Sequence, residues 1–131
     1  PRKPDDYDWS EHTILIVEDN FVSYKLLETS LRKTKVNIIQ AKDGESAIQL
    51  VKDNPGIDII LMDIQLPLMN GYDATREIKK INPDVHVIAQ TANAMDDDRQ
   101  KCIESGCSDY ITKPIILGNL LQLIDKFVNN N

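Results

Sequence analysis

Apolar residues in this chain fall into short continuous runs separated by stretches with helical spacing. TILIV at 13–17 carries no polar position after its first residue, the pattern of a strand covered on both faces. Tyr24, Leu27 and Leu31 follow at i, i+3, i+7, which places them on one helix face. The unit then recurs. NIIQ at 37–40 precedes Ala47, Leu50 and Val51; IDIILM at 57–62 precedes Ala74, Ile78 and Ile81. VHVIA at 85–89 precedes Cys102 and Ile103, and DYIT at 109–112 precedes Leu120, Leu123, Ile124 and Phe127. Five strand–helix units predict an α/β fold, with a parallel sheet, helices on both faces and right-handed crossovers. Such sheets bind ligands outside the carboxyl ends of their strands. The informative residues are therefore Glu18 and Asp19 after the first run, Asp63 after the third, Thr91 after the fourth and Lys113 after the fifth.

The first twelve residues, PRKPDDYDWSEH, are charged, punctuated by proline and aperiodic. They read as a linker or domain edge, from which Tyr7 and Trp9 could dock on a domain spanning 13–131. A length of 131 residues with 41% hydrophobic composition suits one domain with one core. The charge of -6 and pI near 4.8 turn the reading away from nucleic acid and from anionic membrane, and toward a protein or a cation as partner. No basic-then-apolar leader is present, and no apolar run approaches the roughly 20 residues needed to span a bilayer, so the expected compartment is the cytoplasm. Cys102 and Cys107 are too few for a disulfide scaffold, and a zinc site needs about four ligands; they read as reduced thiols near a helix end. His86 reads as a strand-surface or internally satisfied histidine, and Asp96, Asp97 and Asp98 as a solvated helix start favoured by the helix dipole.

Asp63 is the residue that calls for chemistry. It ends the apolar run of IILMDIQLPLMNG at 59–71, where an ionised carboxylate needs a partner. If the strand ends converge, Glu18, Asp19 and Asp63 repel one another, by about 4 kcal/mol for a pair ~4 Å apart at an effective dielectric of ~20. A small, partly hydrated cluster of hard oxygen ligands suits Mg2+. Lys113 supplies a second positive charge and Thr91 a hydroxyl. Those groups around one accessible carboxylate are arranged to hold a phosphoryl group, with Asp63 as the nucleophile.

Four motifs in order, LIVEDN, LMDIQLPLMNG, AQTANAM and YITKP, resemble the receiver domain of two-component response regulators over about residues 13–128. The resemblance implies a doubly wound, flavodoxin-like (βα)5 fold with strand order 2-1-3-4-5. It implies that Asp63 accepts phosphate from a phosphohistidine, and that Glu18 and Asp19 hold Mg2+, one of them through water, with the backbone carbonyl of Gln65 completing the protein ligands. Thr91 would contact the phosphoryl group, Lys113 pair with it, and Tyr110 act as the switch aromatic; a cis Lys113–Pro114 bond would aim the lysine at the acceptor. Each also has a plain structural reading: Thr91 as a strand-end hydrogen bonder, Tyr110 as a packed aromatic, Lys113 as a surface charge. By the same resemblance, Gln65 and Asn93 occupy positions that tune how water reaches the acyl phosphate. Leu66 stands where many relatives have methionine, a change that conserves volume.

The implied partners are a histidine kinase or a histidine phosphotransfer domain. The face expected to change comprises the helix beginning near Met95, the DYIT strand and the last helix as far as Val128. LMDIQLPLMNGYDATREIK and AQTANAM resemble receivers of hybrid sensor histidine kinases more than those of DNA-binding regulators. YDWSEHTILIVEDN suits a domain that follows a kinase core, although a stand-alone regulator remains open. Two rivals fit less well. A haloacid dehalogenase-like phosphatase needs an acid/base aspartate two residues after its nucleophile, where this chain has Gln65. A flavin carrier needs a hydroxyl- and glycine-rich phosphate loop after the first strand, where Glu18 and Asp19 would repel the phosphate. The expected activity is therefore self-phosphorylation and self-dephosphorylation and not general phosphatase turnover.

Overall fold

The computed structural model describes residues 2–92 and 96–129. Its elements alternate as the apolar runs predict: β1 (Thr13–Val17), α1 (Phe21–Arg32), β2 (Asn37–Ala41), α2 (Gly44–Asp53), β3 (Ile59–Asp63), α3 (Gly71–Ile81), β4 (His86–Thr91), α4 (Asp96–Ser105), β5 (Asp109–Thr112) and α5 (Leu117–Asn129). The strands form one parallel sheet in the order β2-β1-β3-β4-β5. Val17 pairs with Ala41 and Met62, Asp63 with Gln90, and Thr91 with Thr112, so the carboxyl ends line up along one edge.

Side chains alternate strictly between two apolar layers. Leu15, Val17, Ile60, Met62, Val87 and Ala89 pack with Ala47, Val51, Ala74, Ile78 and Cys102 of α2, α3 and α4. Ile14, Ile16, Ile59, Leu61 and Ile88 pack with Leu27, Leu31, Leu120 and Ile124 of α1 and α5. This burial of both faces is why β1 and β3 read as unbroken apolar runs. Each of the first three helices starts from a side-chain cap just beyond a strand end. Asn20, Asp43 and Asn70 accept from the backbone N–H of Ser23 (2.9 Å), Ser46 (2.7 Å) and Asp73 (3.0 Å). In α4 the apolar face narrows to Cys102 with Ser105, and Ile103 points to solvent. Both cysteines are free, and burial pushes the Cys102 thiol up to about 11. His86 is held as a satisfied histidine, its Nδ1 lying 3.1 Å from Ser108 Oγ and its ring stacked on Phe127.

The segment before β1 packs on the α1/α5 layer. After a single 3-10 turn at Pro4–Asp6, Tyr7 and Trp9 are buried with ring centroids 4.8 Å apart, and Trp9 is 2% exposed. The Trp9 N–H donates to Thr34 O at 2.8 Å, and Asn37 N–H donates to His12 O at 3.0 Å. Arg2 covers the Tyr7 ring at 4.1 Å and lies 4.0 Å from Asp125 of α5. The segment thus ties the carboxyl end of α1 to α5 at the sheet edge opposite Asp63.

Candidate functional site

β3 delivers Asp63, buried, to the carboxyl edge of the sheet, where the chain turns sharply. Gln65 N–H donates to Asp63 Oδ1 at 3.0 Å, and Gly71 N–H donates to Ile64 O at 2.9 Å, closing the loop onto the strand end. Gly71 is needed for this approach. A Cβ there would stand 2.4 Å from the Asp63 carbonyl oxygen and 2.8 Å from Ile64 Cα, backbone atoms that cannot move aside cheaply. Gly71→Ala is expected to cost about 1–3 kcal/mol, as overpacking does, and to shift the Asp63 and Ile64 amide resonances. Denaturant unfolding checks this, and unchanged stability with unchanged shifts would count against it.

Glu18, at the end of β1, is 2% exposed. Its Oε2 accepts from Asn20 N–H at 3.2 Å, whereas Oε1 has no hydrogen-bond partner among the described residues and faces Lys113 Nζ at 3.8 Å. Burial, reinforced by the Asp63 carboxylate, pushes the Glu18 carboxyl up to about 7. Asp19 is exposed beside it, and Glu18, Asp19 and Asp63 each place an oxygen within 4.8 Å of the others. The single ammonium of Lys113, 3.3 Å from Asp63 Oδ1, leaves this cluster with an excess of negative charge. The orphaned Glu18 oxygen and the hard donor set fit a divalent cation approached from the exposed Asp19 side.

Thr91 ends β4 and is buried; its carbonyl accepts from Lys113 N–H at 2.8 Å, which sets the lysine beside the cluster. The Lys113–Pro114 peptide is cis. Gln65 is exposed in the loop after Asp63. Tyr110 lies on the α4 side of β5, half-buried, its hydroxyl accepting from Arg99 Nη2 at 3.1 Å. The structure therefore gathers Glu18, Asp19, Asp63 and Lys113, with Thr91 at the neighbouring strand end and Tyr110 held by α4. Asn93 and Met95 lie outside the described residues. Sequence reasoning passed over three residues: Asn20, which caps α1 and holds Glu18; Gly71; and Gln90, the register partner of Asp63. For Gln90 a signal existed, since it is a lone amide at the end of the apolar run VHVIA.

Comparison with known proteins identifies the class to which this fold and acidic pocket belong. The chain belongs to the response regulator receiver domain family, whose model matches residues 14–125. It is 38% identical over 130 residues to hybrid signal transduction histidine kinase I of Dictyostelium discoideum, a match covering 90% of this chain and 8% of that protein. It is 36% identical over 124 residues to histidine protein kinase 1 of Candida albicans, covering 86% of this chain and 5% of that protein. The chain thus spans a small fraction of the length of these relatives.

Two solved structures are informative. One is the receiver domain of sensor histidine kinase PA1611 from Pseudomonas aeruginosa PAO1, with magnesium coordinated in its active site cleft. It is 36% identical with a TM-score of 0.84, covering 91% of this chain and 98% of that one. The other is the receiver domain of the Saccharomyces cerevisiae response regulator Ssk1, in a co-crystal with the histidine phosphotransfer protein Ypd1. That match is 34% identical with a TM-score of 0.84, covering 91% and 90% of the two chains. None of these four is a dehalogenase-like phosphatase. Among the described residues no helix is long and apolar enough to cross a membrane.

Proposed function

We propose that Asp63 accepts a phosphoryl group from the phosphohistidine of a histidine kinase or histidine phosphotransfer protein, with Mg2+ in the acidic pocket. The observation that carries this reading is the approach of Lys113 Nζ to 3.3 Å from Asp63 Oδ1 at the edge of a three-carboxylate cluster. An Asp63 oxygen attacks phosphorus as the bond to the imidazole nitrogen breaks, the imidazole leaves with that electron pair, and an acyl phosphate results. Glu18, Asp19, Asp63 and the Gln65 carbonyl would hold Mg2+, which when bound supplies positive charge toward the transferring oxygens. Lys113, anchored through its backbone to Thr91, donates N–H groups to the same oxygens, and the Thr91 hydroxyl contacts the product phosphoryl group. Phe21, Val22, Leu26, Leu68 and Ile116 are exposed and lie on α1, the β3–α3 loop and the β5–α5 turn, segments that follow the strand ends on this edge and would suit the docking of a protein donor. Likeness to receivers of hybrid kinases supports such a donor, and the reading places the domain in the cytoplasm.

The switch follows from the same contacts. New oxygens on Asp63 attract the Thr91 hydroxyl, and the Tyr110 ring leaves Arg99 to fill the space opened behind it, a shift between two populations. Beryllium fluoride should therefore move NMR resonances of Tyr110, Arg99 and α5 in wild type. In Thr91→Ala the changes should stay within the Asp63 pocket. A full response of Tyr110 and α5 in Thr91→Ala would sink this mechanism. Steady hydrolysis of p-nitrophenyl phosphate, lost in Asp63→Asn, would overturn the receiver reading in favour of a phosphatase.

A further inference from the structure

α4 ends in a Schellman motif that sets two cysteines against each other. Gly106, at φ 97°, makes the left-handed turn that glycine adopts without a Cβ penalty. Its N–H donates to Ile103 O at 3.1 Å, and Cys107 N–H donates to Cys102 O at 3.0 Å. That second bond, with the covalent lengths on either side of it, holds the two Cα atoms within about 7 Å, the outer limit for a disulfide. The motif commonly brings the side chains at these two positions into contact. Here both turn to the core layer of α2, α3 and α4, Cys102 3% exposed and Cys107 half-buried, and the two thiols interact.

We propose that Cys102 and Cys107 form a reversible intrachain disulfide, a modification site for low-molecular-weight disulfides such as oxidised glutathione. The Cys107 thiolate, on the more open residue of the pair, attacks one glutathione sulfur; an S–S bond forms, and a glutathione thiolate leaves with the electron pair of the bond that breaks. The Cys102 thiolate then attacks the Cys107 sulfur and expels the second glutathione. Two electrons pass from the protein to glutathione, and the two thiol protons end on the glutathione sulfurs. Burial pushes both cysteine thiols up, so the reduced pair gains nothing from a stabilised thiolate. A stabilised reduced form is what makes a disulfide strongly oxidising; without one, the bridge forms slowly and resists reduction. Its formation draws on Cys102 Sγ, which lies 3.9 Å from the Tyr72 hydroxyl, and that hydroxyl donates to Asp98 Oδ1 at 3.4 Å. Both ends of α4 therefore feel the bond.

The test equilibrates folded wild-type protein, and the same protein unfolded in urea, with glutathione buffers of graded ratio. Both cysteines fall in one tryptic peptide following Lys101, so the bridge is read by mass spectrometry as a loss of two hydrogens with no alkylation. The equilibrium constant for oxidation should be at least roughly tenfold greater in the folded protein, about 30 mV more reducing, because the motif holds the sulfurs together. Gly106→Ala strains the left-handed turn and sets a Cβ 3.2 Å from Lys79 Cγ, so it should lose that advantage. Cys102→Ser should stop at the mixed disulfide on Cys107, and oxidation of wild type should shift the Tyr72 resonances. A constant no greater in the folded protein than in urea would overturn the proposal, as would disulfide-linked dimers as the main product or no conversion at all. If Gly106→Ala fails to fold, the comparison of folded with unfolded wild type decides alone. No step touches Asp63, so the result is independent of the phosphoacceptor assignment.

Discussion

Asp63→Asn is expected to gain no phosphoryl mass from acetyl phosphate and Mg2+ under conditions that label wild type. The amide keeps the shape of the carboxylate, so the loop through Gln65 and Gly71 should stay folded while the nucleophile is lost. Asp63→Glu is the more searching variant. It keeps the charge but pushes the reacting oxygen outward by one methylene, away from Lys113 Nζ, which stands 3.3 Å from the present Oδ1. Misplacement on the order of 1 Å can cost about 100-fold in rate, so Asp63→Glu should label roughly 100-fold more slowly. Time-resolved intact mass measurement separates these outcomes, and wild-type-like labelling of Asp63→Asn would place the acceptor elsewhere.

A second large effect is expected far from that chemistry. Trp9→Ala removes one of the largest fully buried side chains, at the edge opposite Asp63. Truncations of buried aromatic residues cost about 3–5 kcal/mol, so the melting temperature should fall by roughly 10 °C or more. Deletion of residues 2–12 should cost at least as much, since Tyr7 and the backbone bonds to Thr34 and Asn37 go with it. Calorimetry and circular dichroism read the change, because Trp9 is the only tryptophan and its fluorescence is lost in the variant. Labelling of Asp63 in the folded fraction should persist. An unchanged melting temperature after the deletion would show that the segment is a passive linker; the expected loss would make residues 4–12 part of the folded unit.

Why the sheet was legible and this segment was not follows from how each is held. β1 and β3 are covered on both faces, so their apolar runs announce themselves, and the residues just beyond them had to lie on one edge. Glu18, Asp19, Asp63, Thr91 and Lys113 were therefore visible from spacing and charge before any coordinate was known. Residues 4–12 dock through two aromatic side chains and isolated backbone bonds, with no period for a pattern to reveal. In α4, one buried cysteine and one buried serine carry the inward face, so Ile103 looked as inward as Cys102 although it faces water. Gly71 was hidden for another reason. Its necessity comes from the approach of the Asp63 carbonyl, a contact that only the folded loop creates. Gln90 was marked only by being a lone amide at the end of VHVIA, and its weight comes from the fold, where neither amide atom has a hydrogen-bond partner among the described residues.

The most direct measurement is chemical trapping of the acceptor. Wild-type protein is incubated with Mg2+ and a phosphohistidine donor, reduced with borohydride, which converts an aspartyl phosphate to homoserine, then digested and sequenced by mass spectrometry. Homoserine at Asp63 alone, absent when Mg2+ is chelated, is the predicted result. Homoserine at Asp19 or at another carboxylate, or no conversion under conditions that transfer phosphate to the protein, would contradict it.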